Sequence, residues 1–362
     1  MSRRYVDNRA LVVTAALGLA LASGAAVRAA EPAAKPKVVI LATGGTIAGS
    51  AATQTQAGYT SGQVGVDVLV NAVPQIKDLA DVSGEQISNV GSQDMSDAIW
   101  LTLAKRVNEL IASGGVSGVV ITHGTDTIEE TGYFLNLVVK GDAPVVLTAA
   151  MRPSTALSAD GPLNLFNAVA IAADPAARGR GVLIAVNDDI FAARDITKTS
   201  PTDVQTFQSP ERGLIGVSLY GKNRYFRTPY KKHTSGSEFS LAGVKKLPRV
   251  DVVYMTADFS PDIIDSAVEN GAKGIVIAGV GNGNMTGPTQ KAVERARKKG
   301  VAVVRSTRVT SGFVGRNVEA DDDALGTVAS GELNPAKSRV LLKLALLKTS
   351  NPAAIQAYFD SY

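Results

Sequence analysis

The chain alternates short, continuous apolar runs with segments in which apolar residues recur every three or four positions. Runs at 38–42, 119–122, 144–148 and 181–186 have the length and β-branched content of buried strands. Between the first two runs, apolar residues at helical spacing from 99 to 111 predict an amphipathic helix. Strands that alternate with helices in this way are typical of βαβ units and a parallel sheet.

This pattern stops near residue 226 and restarts at residue 250. The intervening residues 227–249 contain two prolines, many lysines and little periodicity, so they are interpreted as a linker. We predict an α/β fold with a large N-terminal domain at 36–226, whose mostly parallel sheet is flanked by helices. A smaller C-terminal α/β domain is predicted at 250–362.

The first thirty residues have a different character from the rest. Three arginines lie within the first nine positions, residues 10–22 are small or apolar, and 27–29 fit the small-residue rule for cleavage. Residues 1–30 are therefore predicted to be a secretory signal peptide, which implies a periplasmic protein. A membrane anchor or a disordered tail is the alternative, although the apolar run is shorter than the roughly 18 residues that a membrane span needs. No later segment is expected to cross a membrane.

Charge and composition narrow the classes of function. Four arginines and one aspartate in residues 1–30 account for three of the four formal positive charges, so the remainder carries about one. No basic face with interleaved aromatic residues occurs, and a nucleic-acid partner is not expected. Cysteine is absent and the histidines are His123 and His233, which argues against thiol chemistry, a histidine-rich metal site and a serine–histidine triad. His123 is interpreted as structural.

Cofactor binding is not expected either. The glycine-rich run at 279–283 lacks the G-x-G-x-x-G spacing of dinucleotide sites, and no Walker A sequence occurs.

Two threonine-bearing turns follow predicted strands. The first is Thr-Gly-Gly-Thr at 43–46 and the second is His-Gly-Thr-Asp-Thr at 123–127. Ligands of open parallel sheets bind beyond the carboxyl ends of the strands, so both turns are predicted to face one site. A threonine hydroxyl becomes a nucleophile when a base takes its proton. Residues 127–130 also match a capping box, which predicts that a helix begins there.

The residues of these turns, 43–49 and 123–127, resemble the two signature segments of the bacterial type II (periplasmic) L-asparaginases and glutaminase-asparaginases. The resemblance extends from Lys37 to Tyr362 and includes residues 91–94, 150–154, 158–161, 194–199, 232–234 and 281–284. It implies an amidohydrolase that converts L-asparagine to L-aspartate and ammonia, acts on L-glutamine as well, needs no cofactor and forms a homotetramer of intimate dimers.

The resemblance makes Thr46 the primary nucleophile and Tyr59 the group that helps to activate it. Tyr59 lies in a segment, 48–65, that is rich in Ala, Gly, Thr, Ser and Gln. Such a segment beside a nucleophile is interpreted as a mobile lid that excludes water on closure. A plain surface loop is the alternative.

Thr125, Asp126 and Lys198 form a second catalytic group by the same resemblance. A lysine withdrawn from water can lose its charge and accept a proton from a nearby hydroxyl, while an aspartate holds it in place. A buried structural ion pair is the alternative for Asp126 and Lys198. Which threonine is attacked first stays open.

Substrate binding is implied for five residues. Ser92 and Gln93 suit the substrate carboxylate, and Asp126 suits its ammonium group. Asn284 and Glu319, from the smaller domain, are implied to reach into the site of a neighbouring subunit. Gln93 and Asn284 stand where the family members most active on glutamine tend to carry Glu and Ser, which favours asparagine as the preferred substrate, whereas residues 313–316 look more like those of the dual-specificity enzymes.

A periplasmic amino-acid-binding protein without catalysis is the competing interpretation. Export and two α/β domains suit that class equally well. A binding protein, however, has no use for two threonines, a lid tyrosine and a lysine–aspartate pair in one site, so we favour an enzyme.

Overall fold

The structure is a computed structural model that describes residues 34–56 and 58–362. The predicted signal peptide, residues 1–30, lies outside the described residues. Within the described part of the chain, no helix is long and apolar enough to cross a membrane.

The N-terminal domain is built on a large sheet. Its strands are β1 (Lys37–Gly44), β2 (Asp81–Val90), β3 (Gly118–Thr122), β4 (Val145–Thr148), β5 (Val182–Val186), β6 (Asp189–Ala192), β7 (Thr197–Lys198), β8 (Phe207–Gln208), β9 (Gly216–Leu219) and β10 (Lys222–Tyr225). Eight of them pair in the order β10-β9-β6-β5-β4-β3-β1-β2, while β7 and β8 form a separate pair. The pairings from β2 to β5 are parallel, as predicted, and those from β5 to β10 are antiparallel.

Helices cover both faces of this sheet. They are α1 (Val66–Ala72), α2 (Ile76–Leu79), α3 (Asp97–Ala112), α4 (Ile128–Val138) and α5 (Gly161–Ala173). Val39 and Leu41 of β1 join the core formed with α3 and α4, whereas Val38 and Ile40 join the core formed with α1, α2 and α5. Side chains of a strand alternate between its two faces, so covering both faces requires the continuous apolar runs seen in the sequence.

The predicted helix between the first two strands is α3, and its buried face differs slightly from the prediction. Trp100, Leu103 and Val107 are buried, while Ile99 is only half-buried. The side chain of Ser96 caps the helix by accepting a hydrogen bond from the backbone N–H of Ile99.

The C-terminal domain has its own parallel sheet. Its strands, in spatial order, are β11 (Val250–Tyr254), β12 (Gly274–Gly279), β13 (Ala302–Thr307) and β14 (Val328–Ala329). Its helices are α6 (Asp262–Glu269), α7 (Gly287–Lys298), α8 (Asp322–Leu325), α9 (Pro335–Ala345) and α10 (Pro352–Ser361). The α/β fold with a large and a smaller domain is confirmed, while the exact domain limits stay predictions.

One hydrophobic core runs through both domains. It contains Leu103 of α3 and Phe134 of α4 together with Val276 of β12 and Leu341 of α9. The residues between β10 and β11, which include the predicted linker, contain only the 3₁₀ turn Thr234–Gly236. Because apolar side chains of the two domains pack together, α9 lies against α4 as well as against its own sheet.

Candidate active site

The two threonine-bearing turns lie side by side at the carboxyl end of the large sheet. β1 and β3 are adjacent and parallel, with Ala42 opposite Thr122. A Cβ atom on Gly45 would lie 2.3 Å from the backbone nitrogen of Gly124, and Gly45 has φ of 80°. Only glycine combines that conformation with such a close approach. The prediction that both turns face one site agrees with this geometry.

Thr46 and Tyr59 form the first hydroxyl pair. Thr46 begins a 3₁₀ turn and is buried, and its Oγ1 lies 2.7 Å from the Tyr59 hydroxyl oxygen. The lid-like segment is anchored at its base by two backbone hydrogen bonds of 3.1 Å between Ser50 and Thr60. This anchoring holds Tyr59, which is 40% exposed, over Thr46. A proton can pass between the two hydroxyls because either can act as donor.

Thr125, Asp126 and Lys198 form the second group. The Lys198 ammonium donates hydrogen bonds of 2.9 Å to Thr125 Oγ1 and 2.7 Å to Asp126 Oδ1. The side chain of Asp126 is 59% exposed, while that of Lys198 is 16% exposed. An ion pair with one partner so exposed stabilises a fold weakly. The Asp126 end of the pair is open to solvent while the Lys198 end is largely buried, which disfavours the buried structural ion pair considered as the alternative.

His123 connects the second turn to helix α4 through its ring nitrogens. It is fully buried, with Nδ1 2.8 Å from the Gly124 carbonyl oxygen and Nε2 2.9 Å from Thr131 Oγ1. Thr131 Oγ1 accepts a separate 2.8 Å hydrogen bond from Trp100 Nε1. The carbonyl can only accept, so Nδ1 carries the proton and Nε2 accepts from Thr131. Burial lowers the pKa of His123 to about 4, against a smaller opposing effect of the Gly124 hydrogen bond. The ring is therefore neutral at neutral pH.

Ser92 connects the second turn to the neighbouring loop. Its hydroxyl accepts a 3.2 Å hydrogen bond from the Asp126 N–H, and its carbonyl accepts one of 2.8 Å from the Thr127 hydroxyl. The prediction that a helix begins here is confirmed, since α4 begins at Ile128, but the predicted capping box is wrong. The Thr127 hydroxyl is bound to Ser92 and does not cap the helix.

The remaining candidate residues lie in two places. Gln93 is exposed beside Ser92, where its amide donates to Asp94 at 3.3 Å. Asn284 and Glu319 lie in the C-terminal domain, where the Asn284 amide donates to the Glu319 carboxylate. Among the described residues of one chain, neither of these two makes a hydrogen bond to the threonines or to Lys198.

A buried arginine that sequence reasoning missed supports the Asn284–Glu319 pair. Arg305 is fully buried in β13 and donates two hydrogen bonds of 2.7 Å to Asp322. It also donates to the carbonyls of Asn282 and Gly315, each at 3.0 Å, in the loops that precede Asn284 and Glu319. Burial opposes the charge of Asp322, but hydrogen bonds from Arg305 and other donors lower its pKa below the ordinary value. The sequence signal that could have identified Arg305 is its position as a charged residue inside the apolar strand β13.

The fold and the site define a class of protein, a two-domain α/β chain with a hydroxyl-rich site beyond the carboxyl ends of parallel strands. Comparison with known families makes this specific. The family described as Asparaginase, N-terminal matches residues 37–231, and the family described as Glutaminase/Asparaginase C-terminal domain matches residues 249–359. The chain belongs to the asparaginase family.

Known proteins resemble it over most of its length. It is 53% identical to L-asparaginase 2 of Escherichia coli strain K12, over 90% of this chain and 93% of that protein. It is 49% identical to the probable periplasmic L-asparaginase of Haemophilus influenzae, over 96% of this chain and 99% of that protein. The solved structure of a probable cytoplasmic L-asparaginase from Campylobacter jejuni superposes with a TM-score of 0.88 at 48% identity, covering 91% of this chain and all of that one.

Proposed function

We propose that this protein is an amidohydrolase that converts L-asparagine to L-aspartate and ammonia and also hydrolyses L-glutamine. Membership of the asparaginase family supports an amide substrate. The observation that carries the proposal is the Lys198 ammonium, bound at once to the Thr125 hydroxyl and the Asp126 carboxylate beside the Thr46–Tyr59 pair. The comparisons do not support a binding protein without catalysis.

In the mechanism we propose, the Thr46 hydroxyl attacks the side-chain amide carbon of the substrate. Its proton passes to the Tyr59 oxygen 2.7 Å away and onward to the amide nitrogen, so the C–N bond breaks and ammonia leaves. Water then attacks the threonine ester, which releases the acid and restores Thr46. Thr125 and Lys198 lie within hydrogen-bond distance of each other and relay protons in these steps, with Asp126 holding the lysine.

Substrate recognition follows from the groups around the turns. Ser92 and Gln93 offer a hydroxyl and an amide to the substrate carboxylate. Asp126 has an exposed carboxylate that can bind the substrate ammonium group. Glutamine is one methylene longer than asparagine, and one methylene is worth only about 1–3 kcal/mol of discrimination. One site can therefore serve both substrates.

We further propose a homotetramer in which Asn284 and Glu319 complete the site of a neighbouring subunit. Within one chain these two residues form a separate group. The C-terminal domain also exposes large apolar side chains, among them Tyr254, Phe313 and Val318 at 59%, 68% and 63% exposure. Large exposed apolar side chains such as these are available for contacts between subunits.

For location we propose the periplasm, on the basic and apolar character of residues 1–30. One relative is named periplasmic, whereas the similar solved structure is named cytoplasmic. The signal-like N-terminus favours the first.

The test of the catalytic proposal is substitution of each threonine. Thr46→Ala and Thr125→Val are each expected to lower ammonia release from asparagine by several orders of magnitude, because the first removes the nucleophile and the second removes a hydroxyl from the proton relay. Thr55→Ala changes an exposed threonine of the lid-like segment and serves as the matched control. Circular dichroism and gel filtration would check that each variant is folded. A variant that keeps a substantial share of wild-type turnover would remove that threonine from the mechanism.

A further inference from the structure

Helix α9 of the C-terminal domain places a row of cations against the first turns of two N-terminal helices. The ion pairs are Lys337 with Glu129 at 3.9 Å, Arg339 with Glu130 at 3.6 Å and Lys343 with Asp97 at 2.7 Å. Glu129 and Glu130 lie in the first turn of α4, directly after the turn that carries Thr125. The C-terminal domain thus contacts the start of α4, next to the turn that carries Thr125, within the same chain.

Lys337 differs from Arg339 and Lys343 because it contacts the segment that carries Lys198 as well as an acidic residue of α4. Its side chain is 4% exposed, and its ammonium donates a hydrogen bond to the backbone carbonyl of Ile196 while it faces the Glu129 carboxylate. Ile196 lies two residues before Lys198, and Glu129 lies three residues after Asp126. One side chain therefore connects the backbone that carries Lys198 with the helix that follows Thr125 and Asp126.

The segment that carries Lys198 bonds to the eight-stranded sheet at its start, where the backbone N–H of Ile196 donates a 3.2 Å hydrogen bond to the carbonyl of Ala192 in β6. Strand β7 is two residues long and pairs with β8, outside the eight-stranded sheet. Its lysine must nevertheless hold 2.9 Å and 2.7 Å contacts to a turn on a different element. A shift of this segment would lengthen both contacts at once, and a misplacement of about 1 Å can lower a rate by about 100-fold.

The surroundings of Lys337 suit a fixed position. Glu129 also accepts a 3.1 Å hydrogen bond from the Asn334 amide at the start of α9. Burial lowers the pKa of Lys337, while the charges of Glu129 and Asp195 act in the opposite direction. A buried amine of this kind is stable only with its partners in place, so its hydrogen bond to Ile196 is not readily exchanged for water.

We propose that Lys337 is a positioning residue that holds Lys198 in register with Thr125 and Asp126. The inference rests on the proposed function, in which Lys198 takes part in proton transfer. Lys337 itself touches no reacting group in this scheme, so it acts through the carbonyl of Ile196.

The experiment measures steady-state hydrolysis of asparagine by the full chain carrying Lys337→Met, which keeps an unbranched side chain only one atom shorter and removes its donor. We expect kcat to fall by about 10- to 100-fold and KM to change by less than about threefold, because none of the proposed substrate-binding residues Ser92, Gln93 and Asp126 makes a hydrogen bond or ion pair to Lys337. Lys343→Met is the matched control, since Lys343 lies on the same helix, is 3% exposed and pairs with Asp97. It is expected to leave kcat within about threefold of wild type.

A double variant separates positioning from stability. Lys337→Met leaves the Glu129 carboxylate without its cation, and adding Glu129→Gln removes that charge while an amide oxygen still accepts from Asn334. We expect the thermal unfolding midpoint to recover and kcat to stay low. Recovery of kcat together with stability in the double variant, or an unchanged kcat in a folded Lys337→Met enzyme, would overturn the positioning role of Lys337 and leave the proposed function intact. A wild-type enzyme that releases no ammonia, or a fully active Lys198→Met variant, would overturn the proposed function as well.

Discussion

The buried His123 is expected to make the stability of the protein depend on pH. Its folded-state pKa is about 4, whereas an unperturbed histidine has a value of 6.5. As the pH falls below 6.5, the unfolded chain binds a proton that the folded chain does not accept until about pH 4. The stabilisation associated with neutral His123 is therefore complete above pH 6.5, is lost progressively as the pH falls, and has disappeared below about pH 4.

The size of this effect follows from the two pKa values. Each pKa unit corresponds to 1.36 kcal/mol, so the difference between 6.5 and about 4 is worth about 3 kcal/mol. His123→Gln supplies the comparison, because an amide does not titrate and can still donate to the Gly124 carbonyl and accept from Thr131. The variant is expected to be less stable than wild type at pH 7.5, since it replaces a well-packed ring.

The assay is urea unfolding of both proteins from pH 7.5 to pH 4 at one protein concentration, because the proposed subunit assembly would add a concentration dependence. Wild type is expected to lose about 3 kcal/mol relative to the variant over this range. His233, whose pKa is also lowered by burial, is present in both proteins, so its contribution cancels in the difference. A difference in unfolding free energy that stays constant across the range would refute the reasoning about His123.

Three further predictions concern substrate choice, assembly and export. The kcat/KM for asparagine is expected to exceed that for glutamine, and Asn284→Ser should narrow the ratio; a wild-type enzyme that prefers glutamine would contradict this. Mixing inactive Thr46→Ala with inactive Glu319→Ala protein should restore part of the ammonia release after subunit exchange, whereas no recovery in a verified mixed oligomer would count against a shared site. Mass spectrometry of protein exported by a bacterial host should find a mature N-terminus near residue 30, and an intact first residue would exclude cleavage.

Local sequence was enough to identify the strands and the turns of the site. The run at 38–42 is apolar throughout because helices cover both faces of β1, and this pattern depends only on the run itself. Parallel neighbours bring their carboxyl ends to one edge, so the juxtaposition of the turns that carry Thr46 and Thr125 followed once the strands were recognised. The close approach of Gly45 to Gly124 is the structural reason for glycine there.

The resemblance of these turns to a known family, and not periodicity, supplied the role of Lys198 and the choice of Glu319. Composition alone would have treated the acidic run after Glu319 as a solvated loop. The antiparallel half of the large sheet was also missed, because strand direction depends on pairing partners that a single segment does not specify.

Tertiary structure alone decided how the buried charges and hydroxyls are used. Thr127 has the sequence of a helix cap, but its hydroxyl donates to Ser92, which lies 35 residues earlier. The sequence indicates only that Lys337 is a lysine in a helix. Its hydrogen bond to the carbonyl of Ile196, 141 residues away in the chain, is seen only in the folded structure. Burying a charge or a polar group is tolerated only when partners satisfy it. For Thr127 that partner is set by packing within the N-terminal domain, and for Lys337 by the packing of one domain against the other.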